Sequence, residues 1–267
     1  MKRYIMNSGG KDSMATTIID FEKNGYGGSV DGVVMGELMF SHKDNITAEH
    51  PLQYKWKHEV AIPKLKEMGF NVILVKGEHD YLSLFHKRYV RSEDESKNGK
   101  KWGFMIASMC SLKSYGKILA MDNWCKQQGE FEKIVGYAYD EKKRIESMLK
   151  TPNMRSILYE EKIMEAQTYD ICRPYGLLSP TYDTKKRDGC WFCPNQSIED
   201  MAKFAKEYPN YWRLLQELAT DKELASQNFR FGQTFAEVQR QIDAINNQIS
   251  IFDFTGGDSN GQYDKRI

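Results

Sequence analysis

Six residues, Ser8-Gly9-Gly10-Lys11-Asp12-Ser13, directly follow a short apolar segment and constrain the fold more than any other feature of this chain. Arg3 to Met6 reads as a strand. Met14, Ala15, Ile18, Ile19 and Phe21 then recur at helical spacing, which puts the two glycines on a strand-to-helix turn. Such a turn aims backbone N–H groups and the positive end of a helix dipole at one point, an arrangement that suits an anion. Gly9 and Gly10 admit phosphate oxygens close to the backbone, Lys11 adds a charge, and Ser8 and Ser13 add hydroxyl donors. A bare glycine pair would read as an ordinary turn, whereas all six residues on a β–turn–α element read as a nucleotide site. Neither G-x-x-x-x-G-K-[ST] nor G-x-G-x-x-G occurs in the chain.

The rest of the first half repeats the pattern. Val30 to Met35, Asn71 to Val75 and Phe131 to Ala138 read as further strands. Glu49 to Met68 reads as a helix burying Trp56, Val60, Ile62, Leu65 and Met68, and Leu112 to Cys125 reads as another. The continuous apolar strands fit a parallel sheet covered on both faces. Strands alternating with helices predict an α/β fold with a doubly wound, mostly parallel sheet, whose ligands bind beyond the carboxyl ends of the strands. Ser92 to Lys101 reads as a mobile surface loop. From Thr151 the pattern turns to helices and loops. The expected division is residues 1–150 as the nucleotide-binding domain, 151–255 as a helical, cysteine-bearing region and 256–267 as a disordered tail. Ser197-x-x-Asp200 and Thr234-x-x-Glu237 have the form of helix starts. The second precedes a stripe of Val238, Ile242, Ile245 and Ile249 that suits a core or a homodimer contact.

Charge and cysteine usage narrow the function classes. Lys+Arg 38 against Asp+Glu 37 gives a net charge of +1, so no global field points to nucleic acid. Lys185-Lys186-Arg187 is a local basic candidate, set against a solvated loop. No apolar run approaches the roughly 20 residues of a membrane span, and Met1-Lys2-Arg3 enters a strand without a signal-peptide apolar region. Five cysteines in such a chain favour thiols or metal ligation over a disulfide framework, and a cytoplasmic enzyme is expected. Cys190 and Cys193 form a C-x-x-C pair that reads as a redox dithiol or half of a metal site. The helix start that a redox pair wants comes only at Ser197. Cys172 and Cys110 would complete four thiolates around Zn²⁺ or a [4Fe-4S] cluster, with a three-cysteine cluster as a further option. Against this, Cys110, Cys125 and Cys172 also suit small buried positions, Cys125 most of all.

The hexapeptide resembles the PP-loop of the ATP pyrophosphatase superfamily, whose members grip the β,γ-pyrophosphate of ATP and cleave between the α and β phosphates. With the cysteines added, the chain resembles the phosphoadenosine phosphosulfate (PAPS) reductase family, within the adenine-nucleotide α-hydrolase fold, in a branch often carried by phages and mobile elements. The segments that carry this are Ser8 to Ser13, Glu49-His50-Pro51, Met109 to Lys113, Val135-Gly136 through Asp140-Glu141 to Arg144, and Leu177 to Tyr182 leading to Arg187 and Gly189 to Asn195. The chain has no C-terminal E-C-G segment of the reductase type, and its phosphate loop is intact. The resemblance therefore implies adenylation of a substrate and sulfur transfer, as in nucleic-acid thiolation, rather than sulfonate reduction. A thiol-dependent adenylyl-sulfate reductase and a non-catalytic nucleotide-binding module are the alternatives.

By this resemblance ATP lies on Ser8, Gly9, Gly10, Lys11, Asp12 and Ser13. Mg²⁺ is held by Asp12, for which helix capping is the other role, and Lys113 and Arg144 are candidate clamps on the α-phosphate, set against plain surface charge. Asp140-Glu141 and Glu49-His50 are weighed against helix-opening and surface roles. The expected catalytic set is Lys11, Asp12, Lys113 and Arg144, and the expected metal set is Cys110, Cys172, Cys190 and Cys193. The expected partners are ATP, an acceptor of unknown class and a sulfur-donor protein, with no membrane and with a homodimer open.

Overall fold

Strands of continuous apolar residues need cover on both faces, and the central sheet of this computed structural model has it. The structure describes residues 1–106, 110–185 and 188–247. Met109, Lys186, Arg187, Ile249 and the expected tail 256–267 lie outside the described residues.

The first half runs through β1 (Lys2–Asn7), α1 (Lys11–Asn24), β2 (Gly32–Glu37), the pair β3 (Met39–Ser41) and β4 (Ile46–Thr47), α2 (Pro51–Trp56), α3 (Ile62–Glu67), β5 (Val72–Lys76) and α4 (Tyr81–Phe85). It continues with α5 (Leu119–Gln127), β6 (Phe131–Val135), α6 (Lys142–Leu149), β7 (Met154–Arg155), α7 (Ile157–Glu160) and α8 (Gln167–Cys172). The last elements are α9 (Ile198–Glu207), α10 (Pro209–Ala219), the hairpin β8 (Asn228–Arg230) and β9 (Gln233–Thr234), and α11 (Phe235–Asn246).

The sheet order is β5-β2-β1-β6-β7, and every pairing is parallel. The period-2 alternation of a strand sorts its side chains to two cores. Ile5, Val33, Met35 and Ile134 face α1, α3 and α8, while Tyr4, Val34 and Val75 face Met121 and Cys125 of α5. Helices thus cover both faces, as the apolar runs predict. Successive strands step outward from β1 through β2 to β5, and the chain then returns to the other side of β1 with β6. The order reverses between β1 and β6, and such a switch point leaves a crevice above the strand ends.

Two helices depart from simple periodicity. The helix expected over 49–68 starts at Pro51, with His50 at its N-cap, and passes through a π-helical segment at Lys57–Ala61, where Ile62 N–H bonds the Lys57 carbonyl. Pro63 explains this break: it has no N–H for the carbonyl four residues back, and its ring crowds that carbonyl. The helix expected over 112–125 opens with a π-helical segment, Leu112–Ile118, before α5.

The change of composition near Thr151 does not coincide with a change of core. β7, α7 and α8 belong to the sheet, and Ile157, Leu158, Cys172 and Leu177 pack with Ile5 and Met14. Conversely, Phe40, Tyr81, Phe85 and Leu112 of the first half pack with Trp191, Phe204, Trp212 and Phe235. Val238 and Ile242 are buried in that second core, so this part of the stripe is core. Both expected helix starts form: Ser197 accepts from Asp200 N–H, and Thr234 and Glu237 make a reciprocal capping box. Residues 92–101 are tethered, since Lys101 pairs with Asp221 at 2.7 Å and Ser92 N–H reaches Asn98. Among the described residues no helix is long and apolar enough to cross a membrane.

Candidate nucleotide site

Ser8, Gly9 and Gly10 join β1 to α1 at the switch point. The turn is held by its own side chains. Asn7 Oδ1 accepts from Gly9 N–H at 2.8 Å, and Ser13 Oγ accepts from Ser8 N–H at 3.1 Å. Gly9 adopts φ +82°, a left-handed backbone that favours glycine, and a Cβ there would push against Gln53 Nε2 at 2.8 Å. Gln53 of α2 donates to the Gly9 carbonyl at 3.0 Å and is itself bonded by the Ser179 hydroxyl. Tyr182, three residues on, accepts the Lys11 N–H at 3.2 Å. The 179–182 segment therefore folds back over the loop, which links the resemblance segment Leu177 to Tyr182 to the Ser8–Ser13 turn.

Above the loop lies an open cleft of about 560 Å³. Ser8, Gly10, Lys11, Asp12 and Arg144 line it, as does Glu141. Gly136, just past β6, closes the floor, since a Cβ there would lie 2.7 Å from Ser13 N. Arg144 is half-exposed, pairs with Glu141 at 2.8 Å and lies over the Tyr137 ring. Asp140 Oδ1 accepts from Glu165 N–H, and Glu141 accepts from Ala138 N–H, so both carboxylates also have local structural work.

Lys113 is exposed and does not line the cleft. Lys117, four residues along the same π-helical segment, does. A Cβ on Gly36 of β2 would strike the Lys117 side chain at 2.8 Å, so that glycine makes the lysine's path to the cleft. Burial lowers the Lys117 pKa from the ordinary lysine range, and the nearby Glu49 opposes the shift.

The far wall is a buried charge network that sequence reasoning did not assemble. Glu49 lines the cleft and accepts from Lys57 Nζ at 2.6 Å, with both residues buried. Lys57 stands 3.9 Å from Glu37, which also meets Lys76 at 3.3 Å. His58 Nε2 lies 2.6 Å from Glu37 Oε1 without hydrogen-bond alignment. The one sequence signal for Glu37 is its place at the carboxyl end of an apolar strand, where ligands of parallel sheets bind. His50 is buried, not a surface residue. It accepts Leu52 N–H through Nδ1, and burial, with Lys185 and Lys203, depresses its pKa to about 4. Asp188 forms a wall shared with a neighbouring cleft of about 540 Å³, and burial lifts its carboxyl to about 7.

The cysteines do not assemble as expected. Cys110, Cys190 and Cys193 line one small apolar pocket of about 40 Å³. Cys172 is fully buried at the end of α8 and donates its thiol to the Lys11 carbonyl at 3.3 Å. Burial pushes that thiol up to about 12, so it stays protonated. The expectation of Cys172 as a fourth ligand is thereby corrected: it packs beneath the Ser8–Gly10 turn with the sheet core, away from the pocket that Cys110, Cys190 and Cys193 line. Among the described residues no three His, Cys, Asp or Glu side chains are gathered closely enough to hold a metal ion. A four-thiolate Zn²⁺ or [4Fe-4S] site does not fit this arrangement. Cys125 is core, as expected, with its thiol pushed up to about 11 by burial.

No family model matches this chain, and no curated protein matches it.

Proposed function

We propose that this chain is an ATP-using enzyme of PP-loop type, similar to the PAPS reductase family, which cleaves ATP between the α and β phosphates to adenylate a substrate for sulfur transfer. One observation carries the reading. The Ser8–Gly10 turn opens α1 at the point where the strand order reverses, beneath a cleft of about 560 Å³. Gly136 from the neighbouring strand end leaves no side chain between β6 and the first turn of that helix. A polyphosphate there meets the positive end of a helix dipole that is already oriented by the fold.

In this reading the loop and Lys11 hold the leaving pyrophosphate. Arg144 and Lys117, which enter the cleft from opposite sides of the switch point, draw the α-phosphate between them. Asp12 lines the cleft and is the carboxylate that would hold Mg²⁺, with the phosphates supplying further oxygens. Bound there, the ion would neutralise charge on the pyrophosphate as it leaves. Cys190 lines both the cleft and the three-cysteine pocket, so the pocket opens beside the nucleotide in this reading. Burial, together with Cys193 and Cys110, holds the Cys190 thiol well above its ordinary range. A protonated thiol is a poor nucleophile, which weighs against direct thiol-dependent reduction.

The test is product analysis with α-labelled ATP and Mg²⁺, with and without candidate acceptors. AMP or an adenylylated acceptor, with pyrophosphate, is expected. ADP with inorganic phosphate would overturn the reading, and binding without any turnover across the acceptors would leave a nucleotide-binding module.

A further inference from the structure

Lys11 begins α1 beside the phosphate loop, yet its ammonium is not open to the cleft. The side chain is 4 % exposed, and it donates to Asp12 Oδ1 at 2.7 Å and to Glu165 Oε1 at 2.9 Å. It also lies over the Tyr169 ring, 5.0 Å from the centroid. Burial by itself lowers the Lys11 pKa, and the two carboxylates more than offset it, so the group is held above its ordinary value.

The two carboxylates are not equivalent. Asp12 follows Lys11 on the same helix, and its Oδ1 accepts a second bond from Thr168 Oγ1 at 2.9 Å. Glu165 comes from the turn before α8, and its side chain is 53 % exposed. Its backbone is pinned by the bond from its N–H to Asp140, while the carboxylate lines the nucleotide cleft. A half-exposed carboxylate keeps much of its hydration when it swings away, so its bond to lysine contributes little net stability. A buried ammonium that loses one partner needs another.

We propose that Glu165 is the resident counter-ion of Lys11 and that the polyphosphate of an incoming nucleotide displaces it. This rests on the nucleotide reading of the cleft. A polyphosphate entering while Glu165 stays in place would put like charges around one ammonium, which opposes binding. Once Glu165 turns out to solvent, the phosphate oxygens take its place on Lys11, and Asp12 stays with Thr168. The exchange favours ligands carrying two or more linked phosphates over those with one, because a single phosphate group replaces the carboxylate with little gain. Glu165 is thus a positioning residue that acts on the ligand through Lys11 and selects for polyphosphate.

Glu165→Gln tests this, since it keeps the shape and removes the charge. ATP and inorganic triphosphate are titrated calorimetrically into the full chain, and the acylation rate of the Lys11 amine is read by mass spectrometry. Both ligands are expected to bind the variant about fivefold more tightly, with a difference that shrinks as salt rises. Lys11 is expected to acylate faster in the variant without ligand. A merely structural role for Glu165 would weaken binding instead. Equal or weaker binding by the variant overturns the displacement and leaves the nucleotide reading standing. No binding of ATP or triphosphate to either protein overturns the nucleotide reading, and this inference with it.

Discussion

Gly136 and Ser13 sit so close that a Cβ on the glycine would lie 2.7 Å from the serine backbone nitrogen, with the Asp12 carbonyl carbon 2.8 Å away. The contact is backbone on backbone, so no side chain can turn aside to relieve it. It ties the end of β6 to the first turn of α1 and so sets the floor of the cleft. Gly136→Ala is expected to cost about 1–3 kcal/mol of stability, as overpacking does. It should also lower ATP affinity, because the loop must shift. Urea unfolding alongside calorimetric titration reads both, and an unchanged midpoint with unchanged affinity would dismiss the contact.

The two lysines of the second π-helical segment should separate in binding. Lys117→Ala is expected to weaken ATP binding about 10- to 100-fold, the range of a hydrogen bond to a charged group. Lys113→Ala should leave affinity near that of wild type, because Lys113 is exposed and away from the cleft. The reverse pattern in titration calorimetry would move the phosphate clamp to the outer face of the helix.

Removing one partner of the Lys57–Glu49 pair leaves a buried charge behind. Lys57→Met is expected to destabilise by about 3–5 kcal/mol, while Lys57→Met with Glu49→Gln should recover part of that loss. Chemical denaturation of the two single variants and the double gives the cycle. Additive effects would show that the pair is not coupled.

His50 makes stability depend on acid. Its pKa is lowered from the ordinary 6.5 to about 4 in the folded chain, so the unfolded chain binds the proton first. The stabilisation it contributes is present above pH 6.5 and is lost as pH falls from 6.5 towards 4. The difference is on the order of 3 kcal/mol. Protonation would also remove the Nδ1 acceptor that caps Leu52 N–H. His50→Asn keeps a capping acceptor without this titration, so its stability should fall less steeply between pH 7 and 4.5. Parallel slopes in urea unfolding would exclude the histidine as the cause.

The spacing of the cysteines among the described residues predicts that the purified protein carries no thiolate-bound metal. Elemental and acid-labile sulfide analysis of anaerobically purified protein is expected to find neither an iron–sulfur cluster nor stoichiometric zinc. Stoichiometric metal that falls in Cys190→Ala and Cys193→Ala would overturn this, and its loss in Cys172→Ala as well would return that thiol to the ligand set.

Features carried by local chemistry could be read in advance. Glycines between an apolar strand and a 3.6-period helix mark the Ser8–Gly10 turn without reference to any distant residue, and continuous apolar runs mark a covered parallel sheet. The N-cap at Ser197 and the capping box at Thr234 are legible for the same reason: each is complete within four residues. The Cys190/Cys193 pair is likewise local. Where Lys113 points could not be read from spacing: it lies exposed outside the cleft, on a π-helical segment whose bonds close five residues on and which therefore departs from α-helical periodicity. Tyr182 and Glu165 reach Lys11 from 171 and 154 residues away, and no spacing rule links them.

The sequence alone determined that this chain builds a parallel α/β sheet with an anion-suited turn after its first strand, because apolar period, glycine placement and caps act over a few residues. Only the tertiary structure decided which charges surround that turn. Cys172 went under the loop, Lys57 went to Glu49, and Lys11 went between Asp12 and Glu165. A buried charge or thiol takes whichever partner the packing of distant segments delivers, since leaving it unpaired costs several kcal/mol (about 3–5 for a broken buried ion pair).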